Sequence, residues 1–205
     1  MKRSIGAWQF FGFAITSLGG TILHFLYDWL DNSPFVAPFS SVNESTWEHM
    51  KLLFFPMFIY AIFQSFLFKD KDDFWCVKLR GTLLGITLIP IIFYTFNGVI
   101  GKSPDWINIG IFFISAAIAY IYETRKFNDR SFICQNQKSS FIGLCFVSLM
   151  FIVFTFFTHK IEVTMNSLSL MNRYSLGRTT LPLTTALQES ISLFTLMRVS
   201  ISVML

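Results

Sequence analysis

Residues 139–157 read SSFIGLCFVSLMFIVFTFF, a stretch of apolar and small polar side chains without a charged residue. A helix needs about 20 residues to cross the hydrocarbon core of a bilayer, and this stretch has nearly that length. In water such a helix would have to bury every face, because it has no polar side to turn outward. The stretch is therefore typical of a membrane-spanning helix.

Four further apolar blocks precede this one along the chain. They lie near residues 7–28, 50–68, 81–100 and 106–122. Only 14% of the residues are charged, against about 25% in an average soluble domain, and the mean hydropathy is +0.56. The sequence therefore predicts an all-α membrane bundle of about five transmembrane helices in residues 1–157, surrounded by the lipid bilayer.

Small residues on two of the spans predict how the helices pack. Gly12, Thr16 and Gly20 recur every four residues on the first span, and Gly81 and Gly85 are four apart on the third. Small side chains on one face let helices approach closely within a membrane, where lipid supplies no hydrophobic drive for association. These spacings predict close helix contacts but indicate no particular function.

The basic residues are distributed unevenly between the connections, which predicts an orientation. The alternate connections carry only Lys51 and Lys102, and all other basic residues before position 157 lie on the opposite side. These are Lys2, Arg3, Lys69, Lys71, Lys78, Arg80, Arg125, Lys126, Arg130 and Lys138. Cytoplasmic loops are rich in Lys and Arg, so we expect the N-terminus inside. The same clustering accounts for the net charge of +4 without nucleic-acid binding.

Residues 158–205 differ in composition, since Ser and Thr replace the Phe-rich pattern. We expect residues 158–189 to be largely irregular, and 191–205 to form at most an interfacial helix. Arg198 would cost about 2.5–3.5 kcal/mol at the centre of a span. The change also fits a frameshifted or degenerate end, a hypothesis that finding an intact reading frame on resequencing would remove.

The most informative ionisable residues lie at the predicted outer ends of spans 1 and 2. His24 and Asp28 are four residues apart, and so are Glu44 and Glu48, so each pair shares one helix face. The short connection makes the two spans neighbours. An imidazole and three carboxylates form a donor set that suits Zn, Mn or Fe. The four residues are therefore candidate ligands of a divalent metal, and His49 is a candidate catalytic base.

Other polar residues are predicted at the same outer edge. Tyr94, Asn97 and Asn108 on spans 3 and 4 would line an outward-opening pocket, and His159 is expected to have a structural role. Ionisable groups within a membrane are functional candidates because their burial is costly. The inner half of the bundle offers little polar material beyond Gln64 and Ser65.

A structural interpretation explains the same outer residues. His24 can pair with Asp28, while Ser45 and Glu48 have the spacing of a capping box at the start of span 2. Glu48 and Lys51 form an i,i+3 pair of opposite charge. Both interpretations remain open at this level.

The three cysteines, Cys76, Cys134 and Cys145, are odd in number and have no motif spacing. A disulfide framework and a thiolate zinc site are therefore not indicated, and we expect three free thiols.

Three motifs resemble one known family. They are LHFLYDW at 23–29, VNESTWEHMKLLFFP at 42–56 and YTFNGVIG at 94–101. Together they resemble a bacterial family of multi-pass membrane proteins that is known only as a domain of unknown function, over roughly residues 8–157. The resemblance implies a five-helix protein of the bacterial plasma membrane. It implies no activity, substrate or catalytic residue.

Three functions follow as alternatives. The polar cluster stabilises the bundle or binds a protein partner, or the chain is a metal-dependent hydrolase acting on lipid or envelope material, or it is a small transporter or permease component. No Gly-x-Ser-x-Gly motif or phosphate-binding Gly-rich loop is present. Transport is disfavoured because the chain has no internal repeat and no charge is expected deep in the spans.

Overall fold

The part of the chain that the structure describes is built from five α-helices and contains no strand. The computed structural model describes residues 5–31, 33–42, 45–69, 71–101, 104–129, 132, 134 and 136–175. The helices are α1 (Ile5–Trp29), α2 (Thr46–Leu67), α3 (Phe74–Ile100), α4 (Asp105–Asn128) and α5 (Gln137–Ser175). Each contains a segment long and apolar enough to cross a membrane. The predicted all-α bundle of five transmembrane helices is confirmed.

The first four helices form a ring in which α1 contacts α2 and α4, and α3 also contacts α2 and α4. The helices α1 and α2 are antiparallel, because Tyr60 in the second half of α2 donates a hydrogen bond to the Trp8 carbonyl near the start of α1. The helices α3 and α4 are antiparallel too, because Lys78 near the start of α3 pairs with Glu123 near the end of α4. The fifth helix packs through aromatic side chains. The ring of Phe151 lies 4.8 Å from Trp47 and 5.2 Å from Phe54, both on α2.

The most deeply buried helix is α2, whose residues 50–57 are all buried. Large apolar side chains elsewhere point outward, among them Leu18 on α1, Ile91 on α3 and Phe146 on α5. Lipid tails can solvate such side chains, whereas water cannot do so favourably. The core therefore surrounds α2, and the outer surface is suited to a bilayer.

The two ends of the bundle differ in chemistry. We call the basic end the one at which α1, α3 and α5 begin and α2 and α4 end. The opposite end, where α1 ends and α2 begins, is the histidine end. There the α1–α2 connection folds back over the helices, since Ala37, Ser40 and Ser41 are buried and the Ser41 N–H donates to the Leu23 carbonyl.

Two helices extend further toward the basic end than predicted. The third helix begins at Phe74 rather than near residue 81, so Lys78 and Arg80 are helical residues and not part of a connection. The fourth helix continues to Asn128 rather than ending near 122. Charged residues near a span end resemble loop residues in sequence, which explains both differences.

The C-terminal part is helical for longer than predicted. The fifth helix continues to Ser175, so the prediction of irregular structure is wrong for residues 158–175. Residues 176–205, with the predicted interfacial helix at 191–205, lie outside the described residues. The chain divides into two units, 1–156 and 157–205.

One disulfide bond joins Cys76, near the start of α3, to Cys134 in the α4–α5 connection. Cys145 is free and exposed. The prediction of three free thiols is therefore wrong. The two partners are 58 residues apart, a separation that matches no local motif.

Candidate functional site

His24, a predicted metal ligand, and His49, the predicted catalytic base, adjoin each other at the histidine end. The rings of His24 on α1 and His49 on α2 have centroids 5.8 Å apart. His49 Nδ1 lies 3.0 Å from the carbonyl oxygen of Ser45, which fixes one side of that ring. Asp28, one turn beyond His24, is exposed. Two imidazoles from neighbouring helices therefore meet near the bundle surface.

Glu48 is held by a different set of partners. Its carboxylate forms an ion pair with Lys51 at 2.7 Å and accepts a hydrogen bond from the Val42 N–H at 3.0 Å. Lys51 also donates to the Ala37 carbonyl at 2.9 Å and to Thr155 Oγ1 at 3.0 Å. The buried Glu48–Lys51 pair thus ties the α1–α2 connection and α5 to α2. This is the i,i+3 pair that the structural interpretation predicted.

The polar residues on α3 and α4 are only partly brought together. Asn108 and His49 line a small cavity of about 10 Å³ together with Phe93, and that volume suits about one water molecule. Tyr94 is exposed and Asn97 is half-buried, one turn further along α3. Neither Tyr94 nor Asn97 lines this cavity.

The predicted metal ligands that the structure describes therefore do not converge on one site. Among the described residues, no three His, Cys, Asp or Glu side chains are arranged to hold a metal ion. Glu44 and the side chain of His159 lie outside the described part. A metal site that includes Glu44 stays a prediction.

A second polar cluster lies inside the bundle near the basic end. Lys78 Nζ is 2.6 Å from Glu123 Oε2, and the exposed fractions of the two side chains are 2% and 0%. Lys78 also donates to Gln9 Oε1 at 3.4 Å. These three residues come from α3, α4 and α1, and we call them the Lys78 cluster.

Aromatic rings close the Lys78 cluster from its surroundings. Four ring centroids lie 5.5–5.8 Å from Lys78 Nζ, namely those of Tyr60, Phe74, Tyr120 and Phe127. An ammonium is attracted by the π-face of such rings, and more strongly when water is excluded. The charged pair is therefore enclosed by aromatic side chains.

A glycine makes room for this ion pair. Gly81 lies one turn after Lys78, and a Cβ added there would come 2.6 Å from Glu123 Oε1. Such an approach is too close for any real side chain. Glycine at position 81 therefore allows the Glu123 carboxylate to reach Lys78.

Several buried polar atoms in this region have no hydrogen-bond partner among the described residues. They include Glu123 Oε1 and Gln9 Nε2, both in the Lys78 cluster, and Ser115 Oγ near the middle of α4. Buried polar atoms are nearly always paired with protein or water, so each of these atoms calls for a further hydrogen-bond partner. One acceptor and one donor therefore remain available beside the ion pair.

Polar side chains continue from the Lys78 cluster toward the centre of the bundle. Tyr120, three residues before Glu123, shares a hydrogen bond of 2.7 Å with Thr16 of α1. Ser115 lies five residues further back on α4 and is fully buried. From Glu123 to Ser115 the helix rises about 12 Å. Polar groups thus extend from the basic end to mid-helix depth.

Comparison with known proteins places the chain in a family. The model of the family of unknown function DUF6512 matches residues 1–176, which include both polar clusters. The chain belongs to DUF6512. No curated protein and no solved structure matches it. The resemblance to a multi-pass membrane family of unknown function is confirmed at this level.

The sequence did not reveal the main polar cluster of this DUF6512 protein. The prediction of little polar material toward the basic end of the bundle is wrong, because Gln9, Lys78 and Glu123 are all buried near that end. The sequence places Lys78 in a connection, and Glu123 lies one residue beyond the predicted end of span 4. The usable signal was helical spacing, since Lys78 shares a face with Gly81 and Gly85.

Proposed function

We propose that this integral membrane protein is a small transporter or permease component, with Lys78 and Glu123 as its proton-exchanging pair. The observation that supports this is one ion pair, fully buried between α3 and α4. Ionisable residues inside membrane proteins commonly mark proton relays and ion or substrate pathways.

Stability alone gives a weaker account of this pair. Removing two charges from water costs several kcal/mol per ion, and apolar replacements of similar volume are often as stable or more so. A structural pair also needs no spare polar atoms, yet Glu123 Oε1 and Gln9 Nε2 have no partner among the described residues. The spare acceptor and donor fit a site that takes up water or a polar solute.

The proposed chemistry is a change of charge in the Lys78 cluster. A proton that reaches Glu123 neutralises its carboxylate and leaves the Lys78 ammonium without a counter-charge. The cluster then carries one net positive charge and attracts an anion or the negative end of a polar solute. When the proton leaves, the ion pair forms again. The hydroxyl groups of Tyr120 and Thr16 supply the next polar groups toward the bundle centre.

Proton flux tests this proposal. The purified protein is reconstituted into liposomes that contain a pH-sensitive dye, and a potassium diffusion potential is applied. We expect proton entry faster than in protein-free liposomes, and loss of that entry in Lys78→Met and Glu123→Gln. Lys126→Gln is the matched control, because its ion pair with Asp129 lies at the same end but is one-third exposed.

Two results would overturn the transport proposal. The first is a wild-type flux equal to that of protein-free liposomes. The second is an undiminished flux in the double variant Lys78→Met/Glu123→Gln. This variant removes both charges together, so it leaves no unpaired buried ion to prevent folding, and a monodisperse elution profile verifies that it is folded.

A metal-dependent hydrolase is the second candidate, and the histidine end supports it. Its favouring observation is the 5.8 Å separation of the His24 and His49 rings, since imidazole is the commonest protein ligand for transition metals. Asp28, Glu44 and Glu48 would complete the predicted set. We expect the purified protein to bind a divalent metal that His24→Gln loses while remaining folded. Equal metal content in both would reject this candidate.

We also infer that the chain resides in a bacterial plasma membrane with its N-terminus inside. The bacterial plasma membrane is what the resemblance of the three sequence motifs implies. The orientation is supported by the concentration of Lys and Arg at the basic end, since Lys and Arg are enriched in cytoplasmic loops.

A further inference from the structure

A cavity of about 510 Å³ opens at the basic end of the bundle. It lies where α2 ends and α3 and α5 begin. Three lysines contribute to its lining, namely Lys69, Lys71 and Lys138, together with the aromatic side chains of Trp75 and Phe141. The cavity thus combines positive charge with aromatic rings at the level of a span end.

The charge in this cavity is available for a ligand. Lys69 and Lys138 are exposed, and Lys71 donates one hydrogen bond to a backbone carbonyl of α4 at 3.1 Å. An ammonium has three donors, so Lys71 retains two. Asp72 and Asp73 follow in the chain, but neither is part of the described lining. The described charged side chains that face the cavity are therefore all positive.

The walls of the cavity are fixed in position. Gln137 at the start of α5 accepts a hydrogen bond from the Trp75 N–H at 3.1 Å and donates to the Lys71 carbonyl at 3.1 Å. The Trp75 ring packs 4.6 Å from Phe141. A preformed site loses little freedom when it binds.

An apolar stripe on α5 continues from the cavity along the surface of the bundle. Ile142 lines the cavity, and Ile142, Phe146 and Leu149 are 65%, 57% and 55% exposed. Their spacing of four and then three residues places them on one helix face. From Ile142 to Leu149 the stripe covers about 10 Å of helix. It therefore leads from the charged cavity toward the membrane interior.

We propose that this cavity binds the headgroup of an anionic phospholipid, with its phosphate at the three lysines and an acyl chain along the α5 stripe. Basic pockets between transmembrane helices at the membrane surface bind anionic headgroups, and Trp favours the same depth. A free phosphate ion has the same negative charge as the headgroup but carries no acyl chain. The apolar stripe on α5 therefore favours a lipid over free phosphate as the ligand. This proposal is independent of proton exchange at the Lys78 cluster.

Native mass spectrometry tests the site. The protein is released from mixed phosphatidylglycerol and phosphatidylcholine micelles, and the bound lipid is counted. We expect selective retention of phosphatidylglycerol, weakened about 30-fold in Lys69→Gln/Lys138→Gln, since each lysine near an anionic lipid contributes about fivefold. Arg80→Gln/Arg125→Gln is the matched control. It removes the same charge from exposed residues of the basic end that do not line the cavity.

Three outcomes overturn the proposal. One is equal retention of the two lipids by the wild type. Another is an equal loss of phosphatidylglycerol in the lysine and arginine variants, which would show a general charge effect. The third is displacement of the lipid by inorganic phosphate, which would mean a phosphate site without acyl contacts.

Discussion

Three lysines show how burial decides what an ion pair contributes to the stability of the fold. The side chains of Lys51 and Lys78 are 0% and 2% exposed, whereas that of Lys126 is 33% exposed. All three have a carboxylate partner within 3.1 Å. A partly exposed pair contributes about 0–1 kcal/mol, because water screens it. Removing one partner of a buried pair leaves an uncompensated charge, which costs far more.

Lys51→Ala is therefore expected to lower the free energy of unfolding by about 3–5 kcal/mol, since it leaves Glu48 buried without a counter-charge. Lys126→Ala, the control, should change it by about 1 kcal/mol or less. Denaturant titration of both variants in detergent micelles measures the difference. The double variant Glu48→Gln/Lys51→Met should regain most of the loss. Equal effects of the two single variants would contradict this account.

At the scale of helices, the sequence predicted those features that depend on the pattern of residues close together in the chain. The number and type of the helices follow from apolar blocks of membrane-spanning length. The Glu48–Lys51 pair follows from i,i+3 spacing. Lys78 and Glu123 are 45 residues apart, so only packing of α3 against α4 brings them together. The Cys76–Cys134 bond, with a separation of 58, was not predictable for the same reason.

Two glycines on α1 lead to opposite predictions for the effect of an alanine on stability. A Cβ on Gly12 would lie 2.5 Å from the ring of Tyr60 and 2.6 Å from that of Tyr120, whereas no described atom lies within 4 Å of a Cβ on Gly6. We expect Gly12→Ala to push α1 from α2 and α4 and to destabilise the fold by about 1–3 kcal/mol. Gly6→Ala should stabilise α1 by about 0.5–1 kcal/mol, the helix preference of Ala over Gly. Thermal unfolding in detergent distinguishes the two, and a stabilised Gly12→Ala would refute close packing at this face.

At the scale of the whole molecule, each end of the bundle has a distinct set of polar groups. The histidine end has the His24–His49 pair and the Glu48–Lys51 pair. The basic end has the Lys78 cluster and the lysine-lined cavity. The orientation of the bundle decides which of these two sets of polar groups is reached by protons of the cytosol and by lipids of the inner leaflet. The basic residues predict that the basic end does.

The disulfide makes this orientation testable, because Cys76 and Cys134 lie at the basic end. The cytosol keeps thiols reduced, so we expect an inward-facing pair to be present as two thiols in growing cells. Alkylation of intact cells with a membrane-permeable maleimide should then label both of these cysteines. An impermeant maleimide should label Asp28→Cys and leave Lys69→Cys unmodified. No labelling of Cys76 and Cys134 by the permeable reagent, together with labelling of Lys69→Cys by the impermeant one, would reverse the orientation and place the lysine-lined cavity in the outer leaflet.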